Sequence, residues 1–222
     1  MASYFRQVPD FQYVSRLPNS QSISDYITVK NLFKRGKLRE DIFGNLQFFT
    51  KYKIIGNERP DNVAYKVYDD ETLDWVVLLS NNILNVQTEW PLSQQGFDNF
   101  LLEKYGSYDQ IYAVHHYETN EIKNTNGILI IPAGLQVPSN FTTTYYDDIL
   151  GRQVTQRNFT RAVTNFEYEQ KLQDDKRNIF ILKPTYLNVV FNDMEEIMPY
   201  KKGSQQYVSE NLKKGDNIRL YT

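Results

Sequence analysis

The stretch that decides the fold is residues 51–82, KYKIIGNERPDNVAYKVYDDETLDWVVLLSNN. An apolar run at 52–55 predicts a short strand, and the Gly-Asn pair that follows it predicts a turn. Pro60 suits the first position of a helix, because its missing N–H would have no intrahelical acceptor there. A second helix is predicted over 72–80. The predicted order is therefore strand, turn, helix, helix.

The apolar residues of this stretch indicate what the two helices bury. In the first helix Val63, Ala64 and Val67 fall on one face. The second helix, which contains the run LDWVVLL, is apolar nearly all round. A helix without a polar face has to be covered on several sides. It therefore lies at the centre of the fold or turns one side to a partner.

Composition limits the class of protein. The chain has 222 residues, a formal net charge of −2 and no cysteine. The absence of cysteine excludes disulfides, thiolate metal sites and a cysteine nucleophile, and it fits a reducing place of synthesis. The small negative charge argues against nucleic-acid binding driven by phosphate neutralisation. We expect no secretory signal and no membrane span, because no basic start precedes an apolar core and no apolar run has the required length.

Aromatic residues are unusually frequent, with 17 Tyr and 13 Phe beside only 2 Trp. Aromatic side chains offer large contact areas and are enriched in protein interfaces. An aromatic-rich core explains the same composition. Composition alone leaves both interpretations open.

The N-terminal residues 1–38 predict an irregular segment. Pro9 and Pro18 interrupt it, and its aromatic residues follow no helical period. Such a segment cannot form a core of its own, so it must lie on another surface. That surface belongs either to the rest of this chain or to a neighbouring subunit.

Residues 91–177 predict a helix, then a β-rich stretch, then a second helix. Ser93 is placed to cap the first helix, which ends near residue 105. Thr164 and Glu167 have the spacing of a capping box and open the second helix over 165–177. Because this helix is mostly polar, we expect a projecting arm. The strand-like segments between the helices are 111–117, 128–131, 141–146 and 152–155, with an Asn-Gly turn signal at 126–127.

The C-terminal part predicts one more strand and one clear helix. Residues 178–183 (NIFILK) form the strand, and Thr185 is placed to cap an amphipathic helix that Pro199 stops. The charged tail after residue 200 predicts a short helix before Gly215 and a strand at 218–221.

Motifs that carry chemistry are missing from the sequence. His115 and His116 are adjacent, and neighbours in a strand point to opposite faces, so we expect no shared metal. The paired carboxylates are also adjacent, whereas acid–base catalysis needs two carboxyl groups across a substrate. No phosphate-binding loop, nucleophile elbow or HExxH helix occurs. We therefore predict no enzyme, no metal and no cofactor.

Three blocks of the chain carry a resemblance to a known family. The first is NERPDNVAYKVYDDETLDWVVLLSNNI at 57–83, and the second is Trp90 with the Ser93 helix. The third is NFEYEQKLQDDKRNIFILKPTYLNVVFNDMEEIM at 165–198. The strand and two helices of 51–82 look like the front half of a LysM-type module. In their joint order the blocks resemble the baseplate wedge protein of contractile-tailed (T-even-like) bacteriophages, the LysM-containing subunit that connects neighbouring wedges.

This resemblance implies a structural protein of the virion without catalytic residues. Its partners would be wedge-core and sheath-initiator proteins and neighbouring wedges, in a six-fold tail baseplate assembled in the bacterial host cytoplasm. Neither nucleic acid nor membrane would be bound. The function expected is the joining of wedge subunits during tail assembly.

The fold implied is α+β, with a LysM-like βααβ core, a β-rich insertion and extended N- and C-terminal arms. Strand 178–183 would close the module by pairing with 52–55, with 127–132 and 211–221 as the second and third alternatives. The domain boundaries expected are 1–50 (arm and partner contacts), 51–90 (first part of the module), 91–177 (insertion), 178–198 (closing strand and helix) and 199–222 (tail). The core residues expected are Tyr52, Ile54, Val63, Ala64, Val67, Leu73, Trp75, Val76, Leu79, Ile179 and Ile181.

The same interpretation names candidate anchors for partners. Interfaces gain most of their affinity from a few residues, often Tyr, Trp or Arg. The candidates are Phe5, Phe11, Tyr13, Phe33, Arg35, Arg39 and Tyr168, and half of them being ordinary core is the alternative.

Two rival functions remain open at this point. One is a carbohydrate-binding LysM module for N-acetylglucosamine polymers such as peptidoglycan, which predicts a groove between the 56–57 turn and the loop after Asn81. The other is a tail-associated lysozyme, for which the sequence offers no carboxylate pair.

Overall fold

The computed structural model describes residues 4–14 and 26–215, and its fold is mixed α+β. The chain divides into two compact units. The first contains Met1–Trp90 together with Asn178–Thr222, and the second is Pro91–Arg177. The second unit is therefore inserted between two parts of the first along the chain.

The elements of the described residues are numbered in chain order. The helices are α1 (Tyr4–Gln7), α2 (Glu40–Phe43), α3 (Pro60–Tyr68), α4 (Asp74–Ser80), α5 (Val86–Glu89), α6 (Gln94–Tyr105), α7 (Tyr108–Ile111), α8 (Asn165–Lys176) and α9 (Leu187–Ile197). Short 3₁₀ turns cover Leu46–Phe48, Glu71–Leu73 and Pro184–Tyr186. The strands are β1 (Asp10–Val14), β2 (Tyr26–Lys30), β3 (Phe49–Lys53), β4 (Val114–Thr119), β5 (Ile122–Lys123), β6 (Leu129–Ile131), β7 (Gln136–Val137), β8 (Thr143–Asp147), β9 (Arg152–Gln156), β10 (Thr160–Thr164), β11 (Asn178–Leu182), β12 (Tyr207–Ser209) and β13 (Leu212–Lys214).

The first unit is closed by an antiparallel pair of strands, β3 and β11. The predicted choice of 178–183 as the partner of the strand around Tyr52 is confirmed, with Ile179 opposite Tyr52. The predicted extent of the first strand is wrong, because β3 ends at Lys53 and Ile54 follows it. The other two candidate segments pair elsewhere, since β6 pairs with β5 and β13 pairs with β1.

Helix α4 lies at the centre of the first unit. Trp75, Val76, Val77 and Leu79 are buried in one cluster with residues of α3, β11 and α9. This answers the question left by its all-round apolar surface, because packing within the chain covers most of that surface.

Side chains form hydrogen bonds with the backbone groups of β11 on the edge that faces away from β3. The Phe180 N–H donates to Asn81 Oδ1 at 2.8 Å, and Asn81 Nδ2 donates to the Phe180 carbonyl at 2.8 Å and to the Val77 carbonyl at 2.9 Å. The Tyr68 hydroxyl donates to the Leu182 carbonyl at 2.8 Å, and burial raises the pKa of Tyr68. An exposed strand edge is thus occupied by groups from α3 and from the end of α4.

The described parts of the N-terminal segment, 4–14 and 26–38, contain regular elements, which corrects the prediction of an irregular segment there. Strand β1 pairs antiparallel with β2 and parallel with β13, and Val8 is buried in the core of the first unit. The tail prediction is also wrong, because β12 and β13 occupy the place of the short helix before Gly215. The cause is the same for both errors. A parallel pair between the two ends of a chain has no local sequence signal. The strand expected at 218–221 lies outside the described residues.

Helix α8 is not a projecting arm. The predicted capping box is present, with Thr164 Oγ1 accepting from Glu167 N and Glu167 Oε2 accepting from Thr164 N. One side of the helix is buried within the second unit. Glu169 is 3% exposed and accepts hydrogen bonds from Lys104 Nζ and Tyr105 Oη, and the ring of Phe166 lies 5.9 Å from that of Phe97. The prediction failed because Glu169, which is buried and hydrogen-bonded in the structure, cannot be distinguished from a surface glutamate in the sequence.

The Ser93 cap of α6 is confirmed, because Ser93 Oγ accepts a hydrogen bond from Gly96 N at 3.1 Å. Two other predicted starts, at Ile111 and Thr185, differ from the structure. Ile111 ends helix α7 rather than starting a strand. Thr185 lies in a 3₁₀ turn after Pro184, so it does not cap α9, whose cap residue Tyr186 makes no side-chain bond.

Two hairpins lie in the second unit: β5 pairs with β6 around the predicted Asn-Gly turn, and β8 pairs with β9, both antiparallel. The segment expected as a strand at 111–117 does not pair with 128–131, because β4 pairs with β10 and β7. Gly127 and Gly151 adopt φ of 79° and 61° in the connecting turns, a conformation that favours glycine. Asp147 joins the hairpins, because its carboxylate accepts from Thr125 Oγ1 at 2.7 Å and from the N–H groups of Ile149 and Leu150. The Thr125 hydroxyl and N–H hold the pKa of Asp147 below its usual range.

The register of β3 and β11 is tested by an engineered disulfide. Lys51 and Phe180 are directly opposite, and the Phe180 backbone bonds to Asn81, so they form a pair without mutual ladder bonds. The Cβ atoms of such a pair are about 4.5–5.5 Å apart, near the range a disulfide spans. We expect Lys51→Cys with Phe180→Cys to oxidise fully in air, measured by free-thiol titration against a background without native cysteine.

The control for this register places the first cysteine one pleat further along. Lys53→Cys with Phe180→Cys joins diagonal positions about 7–8 Å apart and is expected to stay reduced. Faster oxidation of this diagonal pair than of the facing pair contradicts the register.

Candidate partner interface

Most of the candidate anchors are on the surface of the first unit. Phe33 is 100% exposed and Phe5 is 57% exposed. Tyr13, Arg35 and Arg39 are also exposed, whereas Phe11 is half-buried. Exposed apolar side chains indicate an interaction site where they form a contiguous patch rather than standing singly.

Tyr168 is the one candidate in the second unit, and it already has an intramolecular partner. Its ring stacks on that of His115 with centroids 4.1 Å apart and planes 9° apart. The side chain is half-buried. Tyr168 therefore supports the fold of the second unit, with only part of its ring free to contact another protein.

The guanidinium of Arg39 forms ion pairs with two acidic side chains of the same chain, Asp41 and Asp193. Its Nε and Nη2 atoms donate to the two oxygens of Asp41 at 3.1 and 3.0 Å, and Nη1 lies 3.5 Å from Asp193 Oδ1. The hydrogen bonds with Asp41 raise the pKa of Arg39 and lower the pKa of Asp41. The two-point geometry fixes the position of this guanidinium.

The structure brings Phe5 and Arg35 together in one apolar groove of about 660 Å³. We call it the Trp75 groove and define it by Phe5, Leu32, Arg35, Trp75, Leu78 and Leu84, all of which line it. Leu32 and Leu84 are 71% and 66% exposed. Neither leucine was predicted as an anchor, although each is apolar in a polar run, NLFKRGK and NNILN.

Trp75 forms part of the groove and of the core behind it. Its ring lies 5.8 Å from Tyr4 and 6.0 Å from Phe191. Its Nε1 atom is buried without an acceptor among the described residues. The other tryptophan differs, because Trp90 Nε1 donates to the Glu58 carbonyl at 2.9 Å.

The charges around the Trp75 groove are unevenly paired. Glu71 and Asp74 line it and form no ion pair with a described residue. Burial raises the pKa of Asp74, although its bond from the Trp75 N–H at 2.8 Å acts in the opposite direction. Arg35 donates to neutral oxygens, Asn82 Oδ1 at 3.3 Å and the Ile83 carbonyl at 3.4 Å. Lys34 also lines the groove, so the lining has two acidic and two basic side chains with no ion pair between them among the described residues.

The turn at 56–57 is held by Glu58. Its carboxylate accepts from Tyr52 Oη at 3.0 Å, from Ile55 N at 3.1 Å and from Lys66 Nζ, and it is only 11% exposed. Burial alone would raise the pKa of Glu58, but the bonds from Lys66, Ile55 and Tyr52 outweigh burial and lower it. This carboxylate ties the end of β3 to helix α3.

The cavity beside this turn does not extend to the loop after Asn81, as the expected carbohydrate groove would. A cavity of about 370 Å³ there is lined by Ile55, Asn57, Glu58, Asn62, Tyr65 and Lys66. None of its lining residues follows Asn81. Ile83 and Leu84, which do follow Asn81, line the Trp75 groove instead.

The two histidines do not point apart as predicted. Their Nδ1 atoms lie 2.8 Å from each other. The reason is a β-bulge, because His116 pairs with Val163 and Val114 pairs with Thr164, which leaves His115 without an opposite residue. Within 4–14 and 26–215 no three His, Asp or Glu side chains are grouped to hold a metal, and no helix there is long and apolar enough to cross a membrane.

All the expected core residues belong to the buried cluster of the first unit or pack against it. Tyr52 and Val67 are partly buried and pack against the core cluster. The buried members of that cluster include Ile54, Val63, Ala64, Leu73, Trp75, Val76, Leu79, Ile179 and Ile181.

Comparison with known proteins identifies the class to which these features belong. The family model described as base plate wedge protein 53 matches residues 5–130, more than half of the chain. The chain belongs to this family of phage baseplate proteins. It is 25% identical over 177 residues to baseplate wedge protein gp53 of Enterobacteria phage T4, an alignment that covers 75% of this chain and 87% of the T4 protein. The predicted family membership is confirmed, and this match does not test the finer likeness to LysM.

Substitution of Glu58 tests the bonds that hold the turn. We expect Glu58→Gln to lower the free energy of unfolding by about 1–3 kcal/mol at pH 7, because bonds to a buried charge are lost. The folded-state pKa lies below the ordinary 4.5, so this stabilisation is present above pH 4.5 and is lost as the pH falls through the folded-state pKa. Urea denaturation of both proteins at pH 7 and pH 3.5 measures the difference.

Glu103→Gln is the matched control, because Glu103 is exposed on α6. We expect it to change the free energy of unfolding by less than about 0.5 kcal/mol at either pH. An effect of Glu58→Gln that is the same size as this control at pH 7 refutes the assigned role.

Proposed function

We propose that this chain is a structural subunit of a phage tail baseplate wedge and that it joins neighbouring wedge subunits during tail assembly. The observation that carries the proposal is the exposure of Phe33, Leu32, Leu84 and Phe5 on the first unit of a chain from this family. Apolar surface of this kind is stabilised when another protein covers it. The proposal assigns the chain no catalytic step and no cofactor.

The proposed partners are the wedge-core and sheath-initiator proteins and the adjacent wedge, within a six-fold baseplate assembled in the bacterial host cytoplasm. An assembly interface of this type buries about 2,000 Å² or more, and a few central side chains supply most of its affinity. Phe33 is the first choice for such a side chain, because none of the residues that the structure describes covers it.

We also propose that β3, α3, α4 and β11 form a LysM-like module. The order strand, helix, helix, strand and the antiparallel pairing of the two strands support it. In this proposal the module is a rigid scaffold that presents side chains to partners. The 51–90 and 178–198 segments are its two parts, the 1–50 and 199–222 segments flank it, and 91–177 is its insertion.

The second unit offers a surface of its own. Tyr146, Ile149 and Leu150, at the tip of the β8–β9 hairpin, are all about half exposed or more. Asp147 fixes this tip through the bonds from Thr125, Ile149 and Leu150. We assign the tip a separate protein contact, because a rigid apolar tip loses little conformational entropy on binding.

Incorporation into phage particles tests the proposed function. In a phage whose own copy of the gene is inactivated, the tagged wild-type chain is supplied from a plasmid, and purified baseplates are quantified by mass spectrometry. We expect the wild-type chain at a fixed ratio to the other wedge proteins. Loss of a central aromatic anchor costs about 2 kcal/mol or more, so Phe33→Ser is expected to lower incorporation at least tenfold.

Phe43→Ser is the matched control, because Phe43 is also exposed but is not a candidate anchor. It should be incorporated like the wild type. Absence of the wild-type chain from baseplates, or saturable binding to peptidoglycan in its place, refutes the proposed function.

A further inference from the structure

We propose that three lysines around Tyr200 form a docking surface for an acidic segment of another baseplate protein. We call them the Tyr200 lysine cluster and define it by Lys34, Lys201 and Lys213, all of which belong to the first unit. The inference rests on the proposed function and adds the chemistry of one partner contact.

The ring of Tyr200 fixes two of these lysines beside each other. Tyr200 is buried, and its hydroxyl accepts a hydrogen bond from Asn31 Nδ2 at 2.7 Å. Lys34 Nζ and Lys213 Nζ each lie 5.0 Å from the centroid of the ring, and Lys34 Nζ also donates to the Pro199 carbonyl at 2.9 Å. A tyrosine ring attracts an ammonium group through its π-face but has no net charge that would neutralise it. The ring therefore positions two positive charges and leaves both uncompensated.

The electrostatics of Lys34 show that positive charge is concentrated here. Burial lowers the pKa of Lys34, and the charges of Lys213 and Lys201 lower it further. Both charged side chains that shift this pKa are lysines. Lys201 is exposed, so the cluster is open to another protein at this position. Repulsion among the three ammonium groups is relieved when carboxylates bind beside them.

No described acidic side chain forms an ion pair with the Tyr200 lysine cluster. Glu71 and Asp74 line the Trp75 groove together with Lys34, but neither pairs with it or contributes to the shift of its pKa. The acids of the groove therefore do not neutralise the cluster.

Two further acids lie close to the cluster along the backbone. Strand β1 pairs with β13, but the Asp10 carboxylate on β1 pairs with Lys30 at 2.8 Å. The Glu210 carbonyl accepts from Tyr200 N at 2.7 Å, whereas the Glu210 side chain is exposed and forms no ion pair with a described residue. The charge of the cluster is therefore left for a group from outside the described residues.

A short segment with two or more Asp or Glu residues complements this surface. Carboxylates form strong, charge-assisted hydrogen bonds with ammonium groups. Nucleic acid is disfavoured, because its binding needs many phosphate contacts and the whole chain has a net charge of −2. The proposed function surrounds this chain with other subunits, and complementary charge across such an interface sets the specificity and the rate of association. We therefore assign the acidic segment to one of those subunits.

Carbodiimide crosslinking tests the contact directly, because the reagent joins an ammonium group to a carboxylate only where the two are in contact. It is applied to purified baseplates that contain the full-length chain, and the crosslinked peptides are located by mass spectrometry. We expect Lys201 or Lys213 to be joined to Asp or Glu of another baseplate protein. Lys53, which is exposed on β3 and lies outside the cluster, is the control and is expected to remain unlinked. Crosslinks of the cluster that are confined to this chain or to a second copy of it overturn the proposal.

Substitution of Lys201 tests whether its charge matters for assembly. Lys201→Glu should lower incorporation into baseplates at least tenfold, because like charges that face each other across an interface repel strongly. Lys201→Arg keeps the charge and should be incorporated like the wild type, as should the control Lys53→Glu. Incorporation of Lys201→Glu at the wild-type level refutes the docking surface.

The stability of the free chain distinguishes an interface from a structural role. Lys201→Glu places an acid near Lys34, so the repulsion that lowers the pKa of Lys34 is removed. We therefore expect no loss in the free energy of unfolding of this variant, measured by urea denaturation. Poor incorporation together with undiminished stability supports the docking surface.

The outcomes separate this inference from the proposed function. If the wild-type chain and Lys201→Glu enter baseplates equally well, the docking surface fails and the proposed function stands. If the wild-type chain itself is missing from baseplates, the proposed function fails and the docking surface fails with it.

Discussion

The antiparallel pairing of β3 with β11 holds together the two stretches of chain that form the first unit. It brings Ile179 and Ile181 into the same buried cluster as α3 and α4, and it places Phe180 where Asn81 can bond to both of its backbone groups. Without this pairing, the almost wholly apolar helix α4 would lose one of its covering layers. The Trp75 groove depends on the same arrangement, because Trp75 and Leu78 belong to that helix.

The sequence predicted the elements whose signals are local. The proline start of α3, the Ser93 cap, the capping box of α8 and the Asn-Gly turn at 126–127 depend on residues within a few positions of each other. The choice of β11 as the closing strand came from the resemblance to a LysM-type module, and the pairing with β3 is confirmed. The parallel pairing of β1 with β13 was missed. Strands β1 and β13 lie at opposite ends of the chain, and no pattern within either segment announces the other.

The candidate interface was predictable only in part. Phe5, Phe33 and Arg35 were named because aromatic and arginine side chains in a segment without periodicity have few internal uses. Leu32 and Leu84 were missed because a single leucine in a polar run is compatible with core or surface, and only the folded chain shows that both line one groove. Burial of Glu169 was missed for the converse reason. The sequence does not distinguish a buried, paired glutamate from an exposed one.

The place of the second unit in the chain has a consequence for synthesis on the ribosome. Strand β3 emerges early, but its partner β11 is made only after all of Pro91–Arg177. Until then the apolar side chains of α4 lack the strand that helps to cover them, whereas the inserted unit has every one of its own contacts available. Because domains generally fold as units while the chain grows, the insertion completes its fold first and the unit that surrounds it in sequence completes its fold last. The nascent chain therefore exposes the apolar side chains of α4 until β11 has been synthesised. Access to chaperones during translation is accordingly most important for the N-terminal part of the first unit.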